Sequence, residues 1–268
     1  MDKTVLYKLV TASTAAEGST LSLQENVRLL RDGVSSEGKT IAEQLMNLDL
    51  LKGYEAAVED ASSHQIWSAY RIKLLAAKAL RNFGFDCSRI RSEAALQKIC
   101  QEANEARMHA RTLKSEGLYN VSYSIHFRVS DAELWPEGND LMARLLMNML
   151  QLEFGLEPIS IREPEEYATL LRSAVREDIE DVFTSHAKEV MAPVSKCRFP
   201  QVKEATVKNS ARILQILTEH PRYTTADLAE ILQISAKGVE KHLANLKKSG
   251  SLQRIGPDKG GWWKVVRN

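Results

Sequence analysis

The sequence predicts a mostly α-helical body over residues 1–195, followed by a small α+β domain over 207–268. Three observations carry that division. Apolar residues from Leu21 to Leu150 recur at three- and four-residue steps, as in Ile41, Leu45 and Leu48, which is the period of amphipathic helices. Ala192–Gln201, with Pro193 and Pro200, reads as a linker. Beyond it the pattern changes to three short helical runs and two short alternating runs around a glycine-rich turn.

In the body, Gly18, Gly33, Gly38, Gly53, Gly84 and Gly117 fall between the periodic runs and are expected to mark helix ends. Val121, Tyr123, Ile125, Phe127 and Val129 alternate with mostly polar residues, which by itself describes a strand. Leu141–Leu152 is apolar nearly all round, with Arg144, Asn148 and Gln151 as its polar stripe, so it is expected to be a central, buried helix. Tyr167–Met191 reads as one or two more helices. In the smaller domain, Ala211, Ile213, Leu214 and Leu217 form a first helix. Thr225 caps a second over Ala226–Leu232, with Leu228 and Ile231 inward, and Ser235 caps a third that ends at Gly250. Leu252–Ile255 and Trp262–Val266 read as two strands.

The 268 residues are 44% hydrophobic and 26% charged, an ordinary globular balance. No stretch reaches the ~20 apolar residues of a membrane span, and Met1–Val10 lacks a signal-type apolar run, so a cytoplasmic protein with no membrane partner is expected. Cys87, Cys100 and Cys197 lie far apart without ligand spacing, which suits reduced thiols better than disulfides or zinc. A net charge of +1 conceals an asymmetry: residues 203–268 carry twelve basic and six acidic side chains, leaving the rest at −5. Two parts of opposite charge suggest different partners.

Within Glu133-Leu-Trp-Pro-Glu-Gly-Asn-Asp-Leu-Met-Ala-Arg144, a glycine-bearing turn precedes the buried helix. Free N–H groups at a helix start form a phosphate cradle. A plainer reading has Asp140 simply capping the helix. The run resembles the Fic motif, His-x-Phe-x-(Asp/Glu)-Gly-Asn-Gly-Arg-x-x-Arg, through Trp135, Glu137, Gly138, Asn139 and Arg144. His126, seven residues upstream, matches the histidine that precedes that motif on a helix, which favours helix for 121–131 over the alternation. Ser13-Thr-Ala-Ala-Glu17-Gly18 is similar to the inhibitory motif (Ser/Thr)-x-x-x-Glu-(Gly/Asn), with Ser13 and Glu17 expected on one helix face. The resemblance covers roughly residues 9–190. It implies a helical bundle, transfer of a nucleotide monophosphate to a hydroxyl, and a glutamate, Glu17, that pairs with Arg144.

Departures from the motif bear on activity. Glu133 stands where the family has its base, Asp140 where it has a cradle glycine, and Leu141 where it has a phosphate-gripping arginine. Phosphoryl-type transfer depends on positioning and charge stabilisation, so these changes favour an inactive site without a cofactor. Glu133, Glu137 and Asp140 are expected to crowd one site opposed only by Arg144. The alternative is an active enzyme using ATP and Mg²⁺, with Glu133 as base, Glu17 as inhibitor and Glu137 as a metal ligand. Phe83–Ser92 leaves little room for the family's target-positioning hairpin.

Residues 207–268 resemble the winged-helix domains of bacterial regulators. DNA would meet the third helix through Lys237, Lys241, Asn245 and Lys248, and the wing through Arg254, Lys259, Lys264 and Arg267. A protein partner is the other reading of this domain, and a homodimer is an expectation by analogy.

Overall fold

The computed structural model describes residues 1–197, 199, 209–232, 234–256 and 261–266. By packing, the chain divides into a unit of Met1–Gln201 and a unit of Val202–Asn268.

The first unit comprises α1 (Lys3–Ala15), α2 (Leu23–Asp32), α3 (Ile41–Ser62), α4 (Ala69–Ala79), α5 (Glu93–His109), α6 (Ser115–Asp131), α7 (Asn139–Glu153), α8 (Pro164–Glu177) and α9 (Glu180–Val190), with the short strands β1 (Ile159–Ile161) and β2 (Met191–Pro193). Caps define several starts. Ser22 and Glu25 bond reciprocally at α2, and Thr40, Ser68 and Ser92 each accept a backbone N–H three residues on. Gly33 ends α2 in the left-handed conformation, as expected.

Gly53 does not mark a helix end. Gly53 lies inside α3, where a Cβ would stand 2.6 Å from Ala79 Cβ and 2.8 Å from Leu145 Cδ1, so its role is close helix approach. Gly117 sits in the first turn of α6.

α7 is the axis of the bundle, packed on α6 and α3, and Leu141 through Gln151 are all buried. The 121–131 segment is helical, within α6, and its alternation has a specific origin. Val121, Ile125 and Val129 face the main core, whereas Tyr119, Tyr123 and Phe127 face a second core shared with α8 and α9. Two i, i+4 stripes offset by two residues produce an apparent period of two on a helix buried between two cores.

The expected linker at 192–201 is corrected in its first part. Ala192 and Pro193 belong to β2, which pairs antiparallel with β1 in the register Ile159–Pro193, Ser160–Ala192 and Ile161–Met191. Proline is tolerated there because it ends an edge strand.

The second unit contains α10 (Asn209–Glu219), α11 (Thr225–Leu232), α12 (Ala236–Lys248), β3 (Leu252–Ile255) and β4 (Trp262–Val265), with β3 and β4 antiparallel. Its core is built on Ile213, Leu217, Leu228, Val239, Leu243 and Trp263. Two expectations are corrected here. Thr224 rather than Thr225 caps α11, exchanging hydrogen bonds with Asp227. Leu232 rather than Ile231 turns inward with Leu228, because a four-residue step stays on one helix face.

Candidate functional site

Trp135 anchors the loop between α6 and α7. It is fully buried, and its indole N–H donates to Cys87 O at 3.2 Å. Asn139 folds back on the same loop: its side chain accepts from Trp135 N–H and donates to Trp135 O, at 2.9 and 2.7 Å. Gly138 caps α7 at φ +77°, with Leu80 Cδ2 only 2.6 Å from where a Cβ would be. Glycine is required there on both counts. The cap residue is therefore Gly138, and Asp140 lies in the first helical turn instead of capping it.

Glu133 does not crowd the site against Arg144. It adopts φ +40° at the exposed end of the loop, and its carboxylate pairs with Arg91 Nη1 at 2.5 Å, both side chains more than half exposed. Glu137 is exposed as well. Among the described residues no three His, Cys, Asp or Glu side chains are grouped to hold a metal ion. Leu141 is completely buried in the main core. Residues 80–92, between α4 and α5, contain no strand.

Arg144 and the α1 motif meet. Arg144 is 3% exposed, and its guanidinium donates from Nε to Ser13 Oγ at 2.7 Å, from Nη2 to Ser13 O at 3.1 Å and to Glu17 Oε1 at 2.5 Å, and from Nη1 to Tyr167 OH at 2.9 Å. The i, i+4 expectation for Ser13 and Glu17 is corrected. α1 ends at Ala15, so Glu17 approaches from the turn that follows, closed by Glu17 N–H donating to Thr14 O. Burial opposes the charge on Arg144, but Tyr167, Glu17 and Asp140 together hold its pKa above the ordinary arginine value. The guanidinium is thus a fixed cation.

Tyr167, from α8, was not legible as a site residue: it stands on an apolar face with Leu171 and Ala174, like any core aromatic. Its hydroxyl lies 2.9 Å from His126 Nε2, and the imidazole stacks on Phe183 at 5.1 Å between centroids. Burial, then Arg144, pushes the His126 pKa well down, so the ring is neutral. The rest of the polar stripe is also satisfied. Asn148 Oδ1 accepts from Tyr54 OH at 2.8 Å, Asn148 Nδ2 donates to Ile159 O, and Gln151 joins Ile159 N–H to Ser122 Oγ. The cavity between Arg144, Asn148, Ser13 and Tyr54 measures about 10 Å³, about the least that holds one water.

In structure the chain is similar to a Fic-domain-containing signaling protein from Bacteroides thetaiotaomicron, with a TM-score of 0.60 at 16% identity, covering 69% of this chain and 82% of that one. It is also similar to residues 134–508 of Fic-1 from C. elegans, with a TM-score of 0.54 at 21% identity, covering 68% of this chain and 60% of that one. The body has the Fic fold. No curated protein sequence matches the chain. In this Fic-fold body Trp135, Gly138 and Asn139 shape the turn before α7, while Glu133 pairs with Arg91 and Leu141 lies in the main core.

Residues 208–251 match the family model of winged helix-turn-helix DNA-binding domains. Within it Lys237, Lys241, Asn245 and Lys248 share the exposed face of α12, with Glu240 also exposed, and Ser235 caps the helix through Gly238 N–H. Lys264 is exposed on β4. Arg254 lies over the Trp263 ring at 4.8 Å, with Lys247 Nζ 5.3 Å from the same ring. Lys259 and Arg267 lie outside the described residues.

Proposed function

We propose that this protein is a regulator that binds duplex DNA through α12 and the β3–β4 hairpin, and that its Fic-fold body performs no nucleotide transfer. The observation that carries the second half is Arg144. The one motif arginine this sequence retains is buried, and four of its five N–H donors are engaged by Ser13, Glu17 and Tyr167. A triphosphate would have to displace all three and would meet Leu141 where a second cation is needed. The Glu133 carboxylate is engaged in an ion pair with Arg91 at the exposed end of the loop. No nucleotide or metal cofactor is part of this reading.

The first half rests on the winged-helix match and on the basic face of α12. Four phosphate contacts, from Lys237, Lys241, Lys248 and Lys264, correspond to a slope of about −3 to −4 in log affinity against log salt. Titration of labelled duplex at several salt concentrations tests it, and binding that ignores salt sinks the DNA reading. For the body, the test is labelled-nucleotide incorporation from ATP and Mg²⁺ by wild type and Glu17→Gly. Incorporation that disappears in Glu133→Ala would establish the active alternative.

A further inference from the structure

We propose that Arg144 is held by two independent clamps, Ser13 with Glu17 on one side and Tyr167 on the other, and that His126 is the residue that positions Tyr167. The inference deepens the closed-site reading above and rests on it for its functional meaning. Removing Glu17 alone then leaves the site shut.

The donor accounting supports two clamps. A guanidinium has five N–H donors in a rigid plane. Glu17 takes one, at Nη2, and Ser13 takes Nε through its hydroxyl and Nη2 through its carbonyl. Tyr167 takes Nη1 on a different edge of the plane and arrives on α8, an element separate from α1. Neither clamp shares an atom with the other, so each restrains the guanidinium when the other is gone.

The role of His126 follows from proton directions. Arg144 has no acceptor, so its Nη1–H donates and the Tyr167 oxygen accepts. The Tyr167 hydroxyl hydrogen is then free to donate to His126 Nε2, 2.9 Å away. That fixes the imidazole as neutral, with its proton on Nδ1. Nδ1 is buried without a hydrogen-bond partner. A leucine or phenylalanine would fill the space beside Phe183 without burying an unpaired N–H. What a histidine adds there is the acceptor at Nε2, which aims the Tyr167 hydroxyl and leaves its lone pairs toward Arg144. The order Arg144, Tyr167, His126 is a one-way chain of donors across α7, α8 and α6.

Hydrogen exchange of the Arg144 guanidinium N–H groups, read by NMR on the ¹⁵N-arginine-labelled full chain, tests this without any nucleotide. Losing a hydrogen bond to a charged group is expected to speed exchange by about 10- to 100-fold. Glu17→Gly and Tyr167→Phe should each do so alone, and the double variant should multiply the two effects. If Glu17→Gly alone exchanges as fast as the double variant, there is only one clamp and the proposal fails. His126→Gln, which keeps an acceptor near Nε2, should preserve the wild-type rate, whereas His126→Leu should match Tyr167→Phe. Equal rates for His126→Gln and His126→Leu overturn the positioning role. The thermal-melt coupling between Glu17→Gln and Tyr167→Phe provides a second reading: near-additive losses fit two clamps, and a full loss from Glu17→Gln alone does not. Incorporation of labelled nucleotide would defeat the inactive-site reading and leave these exchange results standing, so the two failures are separable.

Discussion

Alanine at position 138 sets two penalties against an otherwise small change. The backbone at Gly138 has φ +77°, and holding an L-residue with a Cβ there costs about 1–2 kcal/mol. The new Cβ would also stand 2.6 Å from Leu80 Cδ2. Leu80 has no exposed surface into which it could swing, so relieving that contact moves packed core at about 1–3 kcal/mol. Gly138→Ala is therefore expected to destabilise the Fic-fold unit by about 2–5 kcal/mol. At about 2–4 °C per kcal/mol for a domain of this size, the melting temperature should drop by roughly 4–20 °C. Circular dichroism on wild type, Gly138→Ala, Leu80→Val and the double variant measures both parts. The double variant lacks the clashing methyl, so it should fall short of the summed losses by about 1 kcal/mol or more. A Gly138→Ala protein melting within about 1 °C of wild type would refute the close approach of this loop to α4.

Gly53→Ala and Gly117→Ala should have opposite signs in the same assay. Helix propensity favours alanine by about 1 kcal/mol at both, but at position 53 the Cβ meets Ala79 and at 117 nothing nearer than 3.5 Å. His126 makes stability pH-dependent. Its folded pKa is lowered, so below about pH 6.5 the unfolded chain binds a proton that the folded chain refuses, and stability drops as pH falls. Denaturant titrations from pH 7 to 5 should show wild type losing up to about 1.4 kcal/mol per pH unit more than His126→Gln. Lys241→Ala should weaken duplex binding for every sequence tested and reduce the salt slope by about 1. A slope identical to wild type would remove α12 from the DNA interface.

The helical class, the central α7 and the winged-helix order were legible because each rests on a local period or cap. So was the Ser13–Glu17–Arg144 association, since motif resemblance carries information about distant contacts. The geometry of that association was not. A motif spacing of four suggested one helix face, but the helix stops two residues before Glu17, and a chain end is settled by tertiary packing more than by spacing. Tyr167 was hidden for a related reason. A lone aromatic on an apolar face looks the same whether its hydroxyl meets a guanidinium or a carbonyl. The Arg91–Glu133 pair joins residues 42 apart, with nothing in either local context to announce the other. β1 and β2 are three residues each, below the length at which alternation can be read.

The β1–β2 ribbon has a consequence of its own. Because Ile161 and Met191 lie side by side, the chain leaves and re-enters the body at one place, and α8 and α9 form a closed excursion. Segments whose ends adjoin are the ones that chains exchange, lengthen or replace without disturbing the rest. This excursion carries Tyr167 to Arg144, so a different insert at the same hinge would leave the bundle standing and remove one restraint on the arginine. Grafting at this hinge is thus a structural route by which such a body gains or loses one restraint on the arginine while the contacts from α1 stay in place.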